Sequence, residues 1–281
     1  MIWIQQLING IGLGSSYALV AVGYCLVFGV LNVLNMAHGD IFMVGCYIGL
    51  VAHFLTPNSI FALSAGAIFA GIIGMVMERV AIRPVIKEHL APLLTTIGVS
   101  IVLQNSIRII FGGDQKHYPF EFQIFSWGTI SAPSIVFINL AVSFLIMVFL
   151  LLFIQKTKMG RAIRSVAENA DISGVFGVNV GMVMMLTVGI ASALGGLAGV
   201  LMGMTLGSIS PGMGINFGLK GLIILVAVGT GNVFGAMVFG LILGIIEVFS
   251  VIFLSAAYRD IVAVSILIFI LIFRPQGLFS K

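Results

Sequence analysis

Long apolar stretches separated by short polar intervals dominate the pattern of this chain. A helix that crosses a membrane needs about 20 mostly apolar residues, and six stretches come near that length. They cover residues 8–30, 60–77, 93–111, 134–154, 183–204 and 234–254. The stretches 41–54 and 219–228 are shorter, and 261–273 closes the chain. The pattern predicts an all-α polytopic membrane protein with eight or nine transmembrane helices, the number depending on whether 219–228 crosses.

The composition supports the same class. Of the 281 residues 60% are hydrophobic and 8% are charged, with a mean hydropathy of +1.23, whereas a soluble domain carries about 25% charged residues. No polar interval is long enough to fold alone, so residues 1–281 are predicted to form one transmembrane domain. The net charge of +4 comes from clustered cations between spans and does not indicate nucleic-acid binding.

The clustered cations also predict the orientation. They lie at 79–87, at 156–164, and at Arg274 with Lys281. Loops rich in Lys and Arg lie on the cytoplasmic side of a membrane. The polar intervals 112–133 and 205–218 are therefore predicted as outer loops, and the N-terminus as external.

Two intervals predict broken or re-entrant pieces. Residues 31–40 include Asn35, His38 and Asp40, which are too polar for contact with lipid. The interval is either a break buried in protein or lining a cavity, or a short loop at the membrane interface. The short stretch 219–228 is followed by the break 229–232 and is interpreted as a half-helix.

Two spans carry polar groups that should face protein or water. In 93–111 these are Thr95, Thr96, Ser100, Gln104, Asn105 and Arg108. A pathway lined by such groups suits a neutral polar solute.

The span 234–254 contains one acid, Glu247. In a functional role, it contacts a substrate ammonium group or relays a proton. In a structural role, it ties two helices together through a cation such as Arg108 or Lys220. The tie is favoured, because intramembrane charges usually pair with an available counter-ion.

The longest structured polar interval is 157–180, within a loop of about 155–182. At helical spacing Ala162, Val166 and Ala170 share one face, while Arg161 and Arg164 lie near another. The segment is either a solvated loop with anchoring cations or a helix that docks on a cytoplasmic partner, and the docking helix is the sharper hypothesis.

Motifs of an enzyme are missing from the sequence. It contains no phosphate-binding loop, no H-E-x-x-H, no C-x-x-C and no G-x-S-x-G, and its four histidines lack metal-ligand spacing. Cys25 and Cys46 lie in apolar stretches and are interpreted as packing residues. We therefore expect no cofactor, and any ATP hydrolysis must come from another chain.

Several segments resemble the inner-membrane permeases of branched-chain amino-acid ABC transporters. They are 35–43 (NMAHGDIFM) with Gly45 and Tyr47, 160–169 (GRAIRSVAEN), 177–180 (GVNV), 258–260 (YRD) and 273–279 (FRPQGLF). The matches run from the first span to the last, so the resemblance covers essentially the whole chain.

The resemblance implies a bacterial or archaeal inner-membrane importer surrounded by lipid. Its partners would be two ATP-binding subunits, a second homologous permease and a periplasmic or lipid-anchored solute-binding protein. Residues 160–169 would form a coupling helix in a groove of the ATPase, with Gly160, Arg161, Arg164, Glu168, Asn169 and Gly177 as coupling residues. The expected translocation path includes Asn35, His38, Asp40, Thr95, Thr96, Ser100, Gln104 and Glu247.

Other substrates and mechanisms stay open at this point. The same superfamily includes permeases for urea, short amides and sugars, and selectivity would then reside in the binding protein. An ion-coupled secondary transporter and a passive solute channel remain as alternatives, although the polar helix at 157–170 argues against both.

Overall fold

The structure is a computed structural model that describes residues 2–88, 90–120, 122–127, 130–229 and 231–279. The predicted cytoplasmic cation Lys281 and Thr230 of the predicted break lie outside these residues. The described helices are α1 (Ile2–Leu31), α2 (His38–Leu55), α3 (Ser59–Met77), α4 (Ala91–Phe111), α5 (Ser134–Lys156), α6 (Lys158–Glu168), α7 (Ala170–Val175), α8 (Val180–Leu206), α9 (Met213–Val228), α10 (Val233–Phe253) and α11 (Arg259–Phe273). A π-helical turn, Glu78–Ile82, and a 3-10 turn, Arg83–Val85, extend α3.

The predicted all-helical membrane fold is confirmed. Among the described residues, seven helices are long and apolar enough to cross a membrane, and α9 is a shorter apolar helix of 16 residues. α11 is also short, with 15 residues. Within the described ranges, strands occur only as two small antiparallel pairs, β1 (Lys116–His117) with β4 (Ser208–Ile209), and β2 (Ile124–Trp127) with β3 (Ile130–Pro133).

Helix α1 is the centre of the bundle. Residues 12–27 are all buried, and α1 packs most extensively against α10. The two helices run antiparallel with their backbones in close approach: a Cβ on Gly10 would lie 2.8 Å from Cα of Ile245, and one on Gly244 would lie 2.3 Å from Cα of Gly14. Glycine permits this approach because it has no side chain to separate the backbones.

A second seam of small residues joins α2, α3 and α8. A Cβ on Gly199 would lie 2.1 Å from the carbonyl oxygen of Phe42, and one on Gly45 would lie 2.3 Å from Cα of Gly196. Gly195, Gly199 and Gly203 of α8 recur at intervals of four, and a Cβ on any of them would lie within 3.5 Å of α2. The bundle is thus organised by contacts between backbones.

The cation-rich segments gather at one end of the bundle. Arg83 donates a hydrogen bond of 2.6 Å to the carbonyl oxygen of Gly181, at the start of α8. α6 packs on α1, α5 and α8 at this end. The chain after α11 returns to the end of α9, where the amide of Leu278 donates to Ala227 at 2.9 Å.

The segments predicted as outer loops meet at the opposite end. β1 comes from the interval 112–133 and pairs with β4, which follows α8. Tyr118 anchors this layer, because its side chain is buried and its hydroxyl donates to the carbonyl oxygen of Cys46 at 3.2 Å. Burial raises the pKa of Tyr118 above its ordinary value.

Three predicted boundaries differ from the structure. The interval 205–218 is non-helical only from 207 to 212, because α9 already begins at Met213. The predicted half-helix 219–228 is therefore a 16-residue helix. α2 begins at His38 rather than 41 and has 18 residues, so the polar residues His38 and Asp40 belong to its first turn.

The glycine seams give a matched pair of substitutions. Gly244→Ala places a methyl group against the backbone of Gly14, and we expect a loss of about 1–3 kcal/mol of stability from overpacking. Gly98→Ala, on α4, places its methyl group where nothing lies within 4 Å. This second change should be neutral or slightly stabilising, since Ala favours helix over Gly. Thermal unfolding in detergent measures both, and equal melting temperatures for the two variants would contradict the seam.

Candidate functional site

The connection from α1 to α2 is a short break that is open at Asn32 and becomes buried at Asn35 and Ala37. Residues 32–37 are non-helical, and Asn32 has a positive φ of 53°. Asn35 is 1% exposed, and its side-chain oxygen accepts a hydrogen bond of 3.1 Å from the amide of Ala37. Such a local bond satisfies a backbone donor that the interrupted helix leaves free. This burial favours the predicted buried break over a loop at the interface.

The first turn of α2 lies deep in the bundle. His38 is fully buried, with its ring edge-on to Tyr24 at 4.5 Å between ring centres. A Cβ on Gly23 would lie 2.5 Å from Nε2 of His38, so the imidazole fills a space made by a glycine of α1. His38 therefore packs against α1 and does not line the cavity beside Asp40.

A polar row on α4 contacts this turn. Ser100 donates a hydrogen bond of 2.5 Å to Oδ2 of Asp40, and Gln104 donates to Ser100 at 3.1 Å. Thr96 accepts a hydrogen bond of 3.2 Å from the amide of Met36. Residues 96, 100 and 104 are four apart and share one helix face. The predicted path residues of α4 and α2 thus meet, although they are about 60 residues apart in sequence.

A cavity of about 170 Å³ lies beside this contact, between α2, α4 and α9. Of the predicted path residues, Asp40 and Ser100 line it. Thr95 does not, because its hydroxyl turns back to the carbonyl oxygen of Pro92 at 3.1 Å. The remaining walls of the cavity are Tyr24, Met36, Ile97, Gly214, Ile215, Gly218, Leu219 and Leu222. Sequence reasoning missed this contribution of α9, because it placed 213–218 in a loop.

Glu247 lies at a separate polar cluster. Tyr17 donates a hydrogen bond of 2.8 Å to Oε2, and Lys220 donates to Oε1. Lys220 also pairs with Asp260, 2.9 Å between Nζ and Oδ1. The predicted tie between helices is present, and Lys220 is its partner. Arg108 is exposed on α4 and takes no part.

This cluster fixes the relative positions of four helices. Glu247 is fully buried and the side chain of Lys220 is 6% exposed, whereas that of Asp260 is 74% exposed. α1, α9, α10 and α11 each contribute one member. A second cavity of about 240 Å³ lies here, lined by Tyr17, Asn216, Phe217, Lys220, Arg259 and Asp260. α9 therefore separates two cavities, one on each face.

At the basic end, α6 is an amphipathic helix fixed to the end of α5. Thr157 caps it by accepting a hydrogen bond of 2.9 Å from the amide of Gly160. Gly160 packs so closely that a Cβ would lie 2.3 Å from the carbonyl oxygen of Ile154. The buried face of α6 consists of Gly160, Ile163 and Val166, which replaces the predicted seam at 162, 166 and 170. The helix ends at Glu168, so position 170 belongs to α7.

The predicted coupling side chains point away from the bundle. Arg161, Arg164 and Glu168 are exposed. Arg164 also donates to the carbonyl oxygen of Ile154, so it braces the corner between α5 and α6. Asn169 caps α7 by accepting from the amide of Ile172 at 2.9 Å.

Helix α7 presents an apolar patch that sequence reasoning missed. Val175 is 86% exposed, Phe176 is 82% exposed, and Ile172 lies on the same face. Gly177 then turns the chain with a φ of +83°. The signal for this patch was the spacing 172, 175 and 176, which is helical even though the segment is short.

A half-buried ion pair braces the segment that extends α3 at this end. Glu78 is fully buried, and Arg83 donates to both of its carboxylate oxygens, at 3.0 and 2.8 Å. The same guanidinium holds the carbonyl oxygen of Gly181. π-helical turns such as Glu78–Ile82 occur frequently at functional sites.

The comparisons with known proteins agree with these features. The family described as the permease component of the branched-chain amino acid transport system matches residues 6–271. The chain belongs to this permease family. The permease protein BraD of Pseudomonas aeruginosa, from a high-affinity branched-chain amino acid transport system, is 36% identical over 99% of this chain and 96% of its own length. LivH of Escherichia coli, a permease of the same kind of system, is 35% identical over the same shares.

More distant relatives also match. A probable branched-chain amino acid transport permease of Methanocaldococcus jannaschii is 25% identical over 92% of this chain and 87% of its own length. The D-allose permease AlsC of Escherichia coli is 25% identical over 84% of this chain and 70% of its own. No solved structure matches the chain.

The permease is thus the membrane component of an ABC transporter and a multi-pass inner-membrane protein. Transporters of this class work with ATP-binding and solute-binding partners. Within the permease, the described residues contain no group of acids, histidines and cysteines that could hold a metal ion.

The cluster around Glu247 predicts a large difference between two substitutions. Lys220→Met leaves a buried carboxylate without its cation, and we expect a loss of about 3–5 kcal/mol. Asp260→Asn removes a largely exposed partner and should cost at most about 1 kcal/mol. Adding Glu247→Gln to Lys220→Met should restore part of the loss. Thermal unfolding in detergent tests this series, and a Lys220→Met protein as stable as Asp260→Asn would contradict it.

Proposed function

We propose that this permease forms half of the translocation path of an ATP-driven importer for branched-chain or other hydrophobic amino acids. The proposal extends to the partners: two ATP-binding subunits, a second homologous permease and a periplasmic or lipid-anchored solute-binding protein. The observation that carries it is the exposed surface of α6 and α7 on a chain of this permease family. We call this surface, made of Arg161, Glu168, Ile172, Val175 and Phe176, the coupling surface.

The coupling surface suits a groove on a soluble ATPase. Arg161 and Glu168 offer charges to a polar rim, and Val175 and Phe176 offer apolar anchors. Protein interfaces commonly combine a central aromatic or aliphatic anchor with a polar rim. An exposed apolar patch of this kind, at the polar end of a membrane protein, marks a surface for interaction with another molecule.

The contacts behind the coupling surface support transmission of a push into the bundle. Hydroxyl groups of Ser165 and Ser173, 2.7 Å apart, join α6 to α7. Gly160 fixes α6 to α5, and Arg83 fixes the start of α8 to the end of α3. Movement of α6 and α7 as a rigid unit would therefore shift α5, α8 and α3 together. Rigid-body movement of packed elements is a common way for proteins to open and close a path.

The cavity beside Asp40 supports an amino acid over a sugar or urea. Its walls are mainly aliphatic, with Ile97, Leu219 and Leu222 among them. Sugars need many hydrogen-bonding partners, and a buried polar group left without one costs free energy. This chemistry favours a branched-chain amino acid, although the match to the D-allose permease keeps sugars as an outcome to test.

Transport by the reconstituted complex tests the function. Proteoliposomes that contain the permease, its partner subunits and ATP should take up radiolabelled leucine, with competition by isoleucine and valine and none by allose or urea. Arg161→Glu should reduce both uptake and the recovery of ATP-binding subunits in a pull-down, because it reverses an exposed charge on the coupling surface. Arg161→Lys is the matched control. Leucine uptake by the permease alone, without ATP, would overturn the proposal in favour of a carrier or channel.

The apolar part of the coupling surface has its own test. Phe176→Ser should weaken the recovery of ATP-binding subunits about tenfold or more, as expected for an aromatic anchor at an interface. Phe176→Leu keeps an apolar side chain and should retain most of the recovery. Insertion and melting temperature should stay the same in both, because Phe176 is exposed. Full recovery with Phe176→Ser would remove α7 from the coupling surface.

A further inference from the structure

The cavity between α2, α4 and α9 combines one acid with aliphatic walls. Among its described lining residues, Asp40 is the only charged group. Ile97 contributes from α4, and Leu219 and Leu222 contribute from α9. Apolar walls with a few placed polar groups are the usual form of a small-molecule site.

The two oxygens of Asp40 differ in their contacts. Oδ2 accepts the hydrogen bond of Ser100 at 2.5 Å, whereas Oδ1 is buried and has no hydrogen-bond partner among the described residues. Asp40 is 2% exposed, and none of the ion pairs between described residues includes it. A buried acid oxygen without a partner is costly, and a cationic ligand that donates hydrogen bonds would remove that cost.

The other buried acid near the centre of the bundle has both of its oxygens engaged. In Glu247, Oε2 accepts from Tyr17 and Oε1 accepts from Lys220. A substrate ammonium group would have to displace Lys220 to reach it. Asp40 is therefore the better partner for an ammonium group. Contact with a substrate ammonium group is one of the roles that the sequence analysis left open for Glu247, and the contacts favour Asp40 for it.

Glycine at position 214 lets the backbone of α9 pack directly against the unpartnered oxygen. A Cβ there would lie 2.6 Å from Oδ1 of Asp40. Gly218, one turn further along α9, also lines the cavity. The two glycines let α9 approach α2 closely, so that Asp40 and α9 line the same cavity.

We propose that this cavity is a substrate subsite within the permease, in which Asp40 binds the α-ammonium group and Ile97, Leu219 and Leu222 contact the branched side chain. The inference rests on the proposed function and adds a recognition step to it. The ligand class is a primary ammonium compound with a short branched aliphatic chain. Selectivity is then shared between the solute-binding protein and the membrane path.

Equilibrium binding separates this recognition step from that of the solute-binding protein. The assembled transporter, without its binding protein, is incubated with radiolabelled leucine. Leucine bound to it is then competed with 3-methylbutylamine, which lacks the carboxylate, and with 4-methylpentanoate, which lacks the ammonium group. The amine should compete, and the acid should compete at least about tenfold less well, the factor expected for loss of one charge-assisted hydrogen bond. Equal competition by the two analogues would overturn the role of Asp40, and this experiment needs no variant.

Two variants refine the test. Asp40→Asn keeps the side-chain shape and an acceptor for Ser100, and it should weaken leucine binding about tenfold or more and abolish the preference for the amine. Leu222→Phe should weaken leucine binding by filling the cavity, whereas Ile101→Phe, on an exposed position of α4 outside the lining, should not.

The outcomes distinguish this inference from the proposed function. If wild-type transporter imports leucine with its binding protein, but Asp40→Asn and Leu222→Phe bind leucine as wild type does, the subsite is absent and the function stands. The subsite is likewise absent if the wild-type transporter binds no leucine without its binding protein. If the wild-type complex imports no branched-chain amino acid at all, the proposed function itself fails.

Discussion

Close contact between helix backbones is the constraint on which the rest of this permease depends. Lipid tails are as apolar as leucine side chains, so burial of apolar surface gives helices in a membrane little reason to associate. Packing at short range and satisfied polar groups must hold them instead. Glycines of α1 and α10, and of α2, α3 and α8, bring the backbones to distances at which a single methyl group would not fit. The buried cluster at Glu247 and the contact of Arg83 with Gly181 further fix the helices that the glycines bring together.

The positions of the buried polar groups depend on this close packing of helices. The first turn of α2 is buried in the bundle, and the break before it is buried at Asn35 and Ala37. Irregular backbone within a membrane survives only where protein or a cavity surrounds it. The break places Asp40 under α9 and beside Ser100. Two glycines of α9 then pack beside this carboxylate, and one of its oxygens has no hydrogen-bond partner among the described residues. A cavity with a single acid is thus a product of the same close packing that stabilises the fold.

The sequence predicts the class of fold and the positions of most helices, because a long apolar run is compatible with few structures other than a membrane-spanning helix. It also placed a polar helix within 157–170, which overlaps the observed helix at 158–168, because apolar residues recur there at helical spacing. It missed the true start of α9, because Gly212 and Gly214 look like a loop, although Gly214 packs against α2. Contacts across about 60 residues, such as Asp40 with Ser100, depend on how helices are arranged. Hydropathy along one chain contains no information on that arrangement, so the cavity had to come from the structure.

Arg83 makes a contact between distant elements that the side chain of its partner residue does not determine. Its guanidinium reaches a carbonyl oxygen 98 residues away in sequence, and that oxygen belongs to the backbone of Gly181. The contact therefore requires nothing of the side chain at 181 except that it be small. During divergence, position 181 is free to change among small residues while Arg83 keeps its partner. Paired substitutions, the usual record of contact between distant positions, would not reveal this link between the end of α3 and the start of α8.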